Sequence, residues 1–307
     1  MLRYALLRVL GAIPTLLLVI ALAFLMVHAA PGGPFDEERP IPPETQKALE
    51  AAYGLDQPVY VQLWRYLSLV VRGNFGPSYH SVGFSVSELI GGAFPVSLQL
   101  GVTAILLALV AGVAVGTAAA LRRNSVFDRL LMAVAMTGIS VPVFVVAPVL
   151  VLVFAVKLHW LPAGWTGNEG YARLILPVIA LALPQIAYIA RLTRASMIEV
   201  LASDFIRTAR AQGLGTAAIV RHHALRPALV PVLSYLGPAI AAILTGAVVI
   251  EQVFGIPGLG ALFVRAAGNR DHLVVLGVVV LYAVLVVALN LVVDILYGMI
   301  DPRVRRR

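Results

Sequence analysis

The sequence predicts an all-α polytopic membrane protein with six transmembrane helices and an extracytoplasmic segment after the first helix. Three observations lead there. Of 307 residues, 60% are hydrophobic and only 12% are charged, about half the charged share of an ordinary soluble domain. Six charge-free runs punctuate the chain, each close to the roughly 20 residues that a helix needs to cross a bilayer core. The basic residues concentrate in alternate intervals between those runs. With a mean hydropathy of +0.93, no core could absorb the apolar surface, so the remaining solvent is lipid.

The first run is Leu10 to Val27. Arg3 and Arg8 precede it as in a signal-peptide n-region, and His28-Ala29-Ala30 loosely resembles a cleavage site. The run exceeds the roughly 7–15 residues of a signal h-region, so residues 1–30 are expected to remain as an N-terminal transmembrane helix. Residues 31–95 form the extracytoplasmic segment. A short helix is expected over Thr45–Ala52, and a second over Pro58–Val71, with Val61, Trp64, Leu67 and Val71 as its apolar positions. The segment reads either as a cap packed on the spans or as a docking surface for an external partner. Residues 96–298 hold the other five runs: Val96–Leu121, Leu130–Val156, Leu174–Ala190, Ala228–Ile250 and Leu273–Val293. Pro142, Pro148, Pro177, Pro184 and Pro238 fall among these. They either shape bends or are simply tolerated, as membrane helices tolerate proline. Residues 299–307 are a basic tail.

Charge sets the orientation. With the N-terminus inside, the inner segments hold 15 basic residues and four acids, whereas the outer ones hold 8 basic residues and 10 acids. The positive-inside bias therefore places both termini in the cytoplasm. It also explains a pI near 10.1 without invoking nucleic acid.

Several chemistries are absent from the pattern. There is no cysteine, hence no disulfide or thiolate metal site. None of the six histidines is expected inside a span, so intramembrane serine–histidine proteolysis has no base there. His222 and His223 are adjacent and cannot share a helix face. No zinc-protease pattern HExxH occurs, and no phosphate-cradling GxxxxGK loop. The Gly-Leu-Gly triplets at Gly213 and Gly258 lack a preceding strand and read as turns.

One inner stretch stands out. "ASDFIRTARAQGLG" precedes "RHHALRPALVP", a basic segment between two apolar runs. Ser203 suits an N-cap, and Asp204 suits the positive end of a helix dipole. A helix over Asp204–Gln212 ends naturally at Gly213, which can adopt the left-handed conformation. Phe205, Ile206 and Ala209 are expected near one face, Arg207 and Arg210 on another. So short a helix is marginal in water and needs a surface to rest on. On residues alone that surface is either lipid headgroups or a cleft in a cytoplasmic protein.

"FIRTARAQGLG" with the following "RHHALRPALVPVL" resembles the coupling motif of binding-protein-dependent ABC importer permeases. In that motif a triplet precedes a glycine by four residues; here the triplet is Arg207-Thr208-Ala209 and the glycine Gly213. Arg207 and Thr208 agree with the dipeptide and oligopeptide (peptide/nickel) version. "YGLDQPVYVQLWRYL", "GNFGPSY", "EQVFGIPGLGALFVRAAGNRDHLVVLG" and "NLVVDILYGMIDPRVR" resemble further stretches of that family in order, so the likeness covers nearly the whole chain. The long outer segment resembles its B-type subunit.

The resemblance implies a type I ABC importer permease fold in the bacterial cytoplasmic membrane. It implies as partners a C-type second permease, two ABC ATPase subunits that bind ATP and magnesium, an extracytoplasmic substrate-binding protein and a peptide cargo. The chain itself would bind no cofactor and perform no covalent chemistry. Asp204, Phe205, Arg207, Thr208, Ala209, Arg210 and Gly213 would form the ATPase-coupling helix. Haem, a nickel complex or glutathione is the alternative cargo. A secondary transporter is the other class, but it would call for inverted repeats and buried coupling charges. In the last span Asn290 and Asp294 lie one helical turn apart, and either contact a pore or bond a neighbouring helix.

Overall fold

A computed structural model describes residues 2–30, 32–33, 35, 42–81, 83–165 and 170–300; the side chains of residues 2–9, 43 and 294–300 lie outside that description. No β-strand occurs among the described residues, only an isolated bridge between Pro77 and Ser85. The helices are α1 (Leu2–Ala29), α2 (Pro43–Tyr53), α3 (Val59–Val71), α4 (Val86–Leu121), α5 (Val126–Ser140), α6 (Val143–Leu150), α7 (Ala172–Leu201), α8 (Asp204–Ala211), α9 (Thr216–Ile219), α10 (Leu225–Ala228), α11 (Val230–Phe254), α12 (Leu259–Gly268) and α13 (His272–Ile300). Wider π turns continue α6 over Val151–Lys157 and join α9 to α10 over Val220–Ala224.

Five helices are long and apolar enough to span a membrane, and a sixth span arises if α5 and the following helix count as one. That pair corrects the expected run Leu130–Val156. It bends by 106°, because Pro142 supplies no backbone N–H and forces Val141 into extended φ −102°, ψ 123°. Pro14, Pro95, Pro148, Pro177, Pro184 and Pro238 sit inside helices that continue past them. A second correction concerns histidine. His28 lies within the first span and His272 opens the last; both are polar residues at the ends of otherwise apolar stretches.

The chain forms two compact units. One comprises Leu7–Ser97 and Pro257–Val287. Its α3 presents Leu63, Tyr66, Leu67 and Val70, at helical spacing, to Ile20 and Phe24 of α1 and to Leu276 and Val280 of α13. The expected apolar face was different: Trp64 and Val71 are 74% and 85% exposed. The stripe containing Tyr66 wins because it buries an aromatic ring beside Phe24 (centroids 6.2 Å apart). A second cluster joins Val86 and Ile90 of α4 to Leu259 of α12 and Val274 of α13. Gly277 lets α13 approach, since a Cβ there would lie 2.6 Å from Val86. Asp271 caps α13, accepting the Val274 N–H at 3.4 Å. Its other oxygen accepts the Ser78 hydroxyl and the His80 N–H. One buried carboxylate thereby fastens the 78–81 loop to a helix start.

The other unit comprises Met1–Leu6, Leu98–Ile256 and Ala288–Arg307. Its centre is α7, which packs on α5, α6 and α11. Small residues permit the approach. A Cβ on Gly112 would stand 2.7 Å from Ile189, one on Gly116 would collide with the Ala190 carbonyl, and one on Gly138 would stand 2.6 Å from the Leu183 carbonyl. Gly112 and Gly116 form a GxxxG pair, whose use is close backbone contact between membrane helices. Leu98, Val102, Leu106 and Val110 of α4 form an exposed stripe four residues apart; such a face is stable only against hydrocarbon or another chain.

Candidate coupling segment

After Leu201 the chain leaves α7, turns at Ser203 and begins α8. Ser203 holds the extended N-cap conformation (φ −73°, ψ 157°), but its hydroxyl donates to the Val200 carbonyl at 2.6 Å and leaves the first turn of α8 uncapped by a side chain. Asp204 instead accepts from Arg207 Nη1 at 3.0 Å. With the Arg207 and Asp204 side chains 72% and 94% exposed, the pair contributes well under about 1 kcal/mol.

The end of α8 is better defined. Gly213 has φ +85°. Its N–H donates to the Arg210 carbonyl at 2.9 Å, and the Leu214 N–H donates to the Ala209 carbonyl at 3.2 Å. This double closure is a Schellman motif, which uses up terminal carbonyls and reverses the chain. The expected limits of the helix hold within one residue.

What holds so short a helix is burial of one edge. Ile206 is fully buried and Ala209 is 4% exposed. They pack with Ala120, Met197, Ile219, Ala224 and Ala228, so α8 rests on the ends of α4 and α7 and on the helical turns that follow it. This corrects the sequence expectation twice. Phe205 does not share that edge; it is 48% exposed. Ala209 faces its own chain, so it offers nothing to an outside socket. The outward surface includes Asp204, Phe205, Arg207, Thr208 and Arg210 to Leu214. The Thr208 hydroxyl bonds back to the Asp204 carbonyl at 3.1 Å, and Phe205 and Thr208 lie exposed beside Arg207.

A further element was missed in the sequence. Asp128 of α5, only 2% exposed, takes two hydrogen bonds from Arg194 of α7, at 2.6 Å from Nε and 2.7 Å from Nη2. The Asn124 N–H adds a third at 2.9 Å. Ser125 caps α5 by accepting the Asp128 N–H at 3.1 Å. The Ser-x-x-Asp spacing was a readable cap signal; the partner, 66 residues away, was not. Asn290 lies against Gly237, whose missing side chain makes room for it. Asn290 is therefore at a contact with α11. The side chain of Asp294, its expected neighbour, lies outside the described residues.

The fold and segment define a class: a polytopic, wholly helical membrane protein that carries a short, glycine-terminated helix outside its spans. Residues 112–306 match the family of binding-protein-dependent transport system inner membrane components, and residues 1–101 match the N-terminal model of the same components. The chain belongs to that family and is a multi-pass inner-membrane protein. It is 50% identical over 305 residues to the oligopeptide transport system permease protein of Escherichia coli (strain K12), covering 99% of this chain and 100% of that protein. It is 44% identical over 306 residues to the dipeptide transport system permease protein of Bacillus subtilis (strain 168), covering 99% and 98%. The glutathione transport system permease protein of Salmonella paratyphi A is 42% identical over 310 residues, with 99% of each chain covered. Among solved structures, the inward-facing MetNI methionine ABC transporter superposes with a TM-score of 0.58 at 18% identity, over 69% of this chain and 96% of that one. An amino acid ABC transporter with histidines superposes at 0.53 and 16% identity, over 69% and 94%. Both likenesses establish the type I importer permease fold.

Proposed function

We propose that this chain is the B-type membrane subunit of an ATP-driven peptide importer and does no covalent chemistry itself. The observation that carries this reading is the 50% identity to an oligopeptide permease along the full length of both proteins. Its partners are a second permease, two ATPase subunits and an extracytoplasmic binding protein that delivers peptide. Both termini and α8 lie in the cytoplasm, and residues 31–95 lie outside, as the arginine asymmetry requires.

In this reading α8 is the coupling helix. Its buried edge locks it to α4 and α7, and its exposed Phe205–Thr208 surface seats on an ATPase subunit. A push on α8 then reaches the spans as rigid-body motion, because Ile206 and Ala209 leave no slack between helix and spans. The Asp128–Arg194 pair carries the same displacement from α7 to α5.

The test is uptake into vesicles that hold the four membrane and ATPase subunits, with binding protein added outside. ATP-dependent accumulation of labelled di- and oligopeptides is expected. Accumulation of glutathione alone would reassign the cargo, and uptake driven by an ion gradient without ATP would overturn the class.

A further inference from the structure

The helix α3 is apolar on two sides. Leu63, Tyr66, Leu67 and Val70 pack with residues of α1 and α13, while Tyr60, Val61, Trp64 and Val71 are exposed. Tyr60 and Trp64 stand one helical turn apart, and each is 74% exposed. Arg65 and Arg72 are exposed as well, and their spacing of seven residues puts them together on one flank of that outward side. No acid occurs between Val59 and Arg72. The neighbouring helix α2 is different. It exposes Glu44 and Lys47, charges of both signs, as a helix in water does. Single exposed apolar residues are ordinary. Four on one side of a 13-residue helix form a patch that calls for a neighbour other than water.

The partners of α3 fix its depth. The 28 residues of α1 cover about 42 Å at about 1.5 Å per residue. That is the thickness of a bilayer with both headgroup zones, about 40–45 Å. The 29 residues of α13 have the same reach. The last turns of α1 and the first turns of α13 therefore lie in one headgroup zone and at the edge of the acyl chains. These are the turns that α3 touches. The Gln62 amide nitrogen donates to the Leu55 and Gln57 carbonyls, so its Oε1 accepts from His28 Nε2, at 2.9 Å, one residue before the end of α1. Tyr66 lies beside Phe24, with ring centroids 6.2 Å apart, and Phe24 is about 8 Å in from that end. Leu276 belongs to the same cluster and is about 6 Å in from the start of α13. Counted from either span, α3 is held where headgroups give way to acyl chains. Its outward side meets whatever fills that layer.

We propose that α3 is an interfacial helix whose outward side is covered by phospholipid, in the leaflet at the C-terminal end of α1. That is the outer leaflet in the orientation given above. Tyr60 and Trp64 carry apolar rings with one polar edge, which is the chemistry of this layer. Val61 and Val71 meet the first acyl carbons. Arg65 and Arg72 donate to lipid phosphates, which the guanidinium fork matches, and no carboxylate of α3 competes for them. An apolar, aromatic side with a basic flank is the pattern of helices that rest in the interface. The helix thereby anchors the segment that carries α2 at a set height on the membrane. The inference rests on the chain being a multi-pass membrane protein and not on peptide import.

The experiment exploits the absence of cysteine. Trp64→Cys, Val71→Cys and Lys47→Cys are each labelled with a nitroxide in the assembled transporter, held in phospholipid nanodiscs. Collision rates are measured with oxygen, which concentrates in lipid, and with a water-soluble nickel chelate. The oxygen-to-chelate ratio at Trp64 and Val71 should exceed that at Lys47 severalfold, and should not change when binding protein is added. A ratio like that of Lys47 at both sites would mean a helix facing water. Poor access for both reagents would mean a protein neighbour such as the second permease, and loss of oxygen access on adding binding protein would mean a docking surface. Each of these three results overturns the proposal. Tyr60→Cys supplies a further site on the same side should Trp64→Cys lower the folded yield.

Discussion

Arg194 clasps Asp128 with both arms of its guanidinium, Nε at 2.6 Å from Oδ1 and Nη2 at 2.7 Å from Oδ2. The carboxylate is buried and the arginine is 29% exposed, so this is a pair whose two members lose differently. Arg194→Ala leaves the buried carboxylate with only the Asn124 N–H. A loss of about 3 kcal/mol is expected. Arg194→Lys keeps the charge but forfeits the forked geometry, and should lose less. Thermal unfolding of the purified complex ranks the two, and equal loss would mean that the forked geometry, and not the charge, carries the pair.

The two edges of α8 should behave oppositely. Ala209→Asp places a charge among Met197, Ile206 and Ile219, so it should lower folded yield and melting temperature by an amount typical of a buried unpaired charge, on the order of 3 kcal/mol. Thr208→Asp or Phe205→Ala changes only the exposed surface and should leave yield and melting temperature alone. These surface changes should reduce ATPase stimulation by loaded binding protein and weaken co-purification of the ATPase subunits. Normal stimulation in both would remove α8 from the coupling path.

Gly116 is expected to tolerate no side chain. A Cβ there meets the Ala190 backbone, which cannot rotate away, so Gly116→Val should destabilise the α4–α7 contact by about 2 kcal/mol or more. Gly11→Ala is the control, because among the described residues nothing lies within 4 Å of the new methyl. The pair is read by melting temperature in the same detergent. A similar shift for both would show that helix propensity, and not packing, sets the result.

Sidedness is testable because the chain contains no cysteine. A cysteine replacing Lys47 in α2 should react with an impermeant thiol reagent on intact cells. One replacing Gln212, exposed at the end of α8, should react only after the membrane is opened. The reverse pattern would invert the orientation.

The linear pattern of residues suffices for the membrane class, the position of nearly every span and the limits of α8. These depend on properties local to the chain: apolar run length, cap chemistry, and a glycine where φ must be positive. It also carried the family, since the motif around Gly213 and the stretches before and after it are linear patterns. Which edge of α8 faces inward depends on the helices packed around it. Phe205 and Ala209 are both apolar, and helical spacing permits either beside Ile206; the small gap near Met197 admits Ala209 and leaves the phenyl ring outside. The same holds for α3, where Trp64 and Tyr66 compete as inward residues and only the position of Phe24 chooses between them. Asp128 and Arg194 were visible as charges, but their pairing required α5 and α7 to lie side by side.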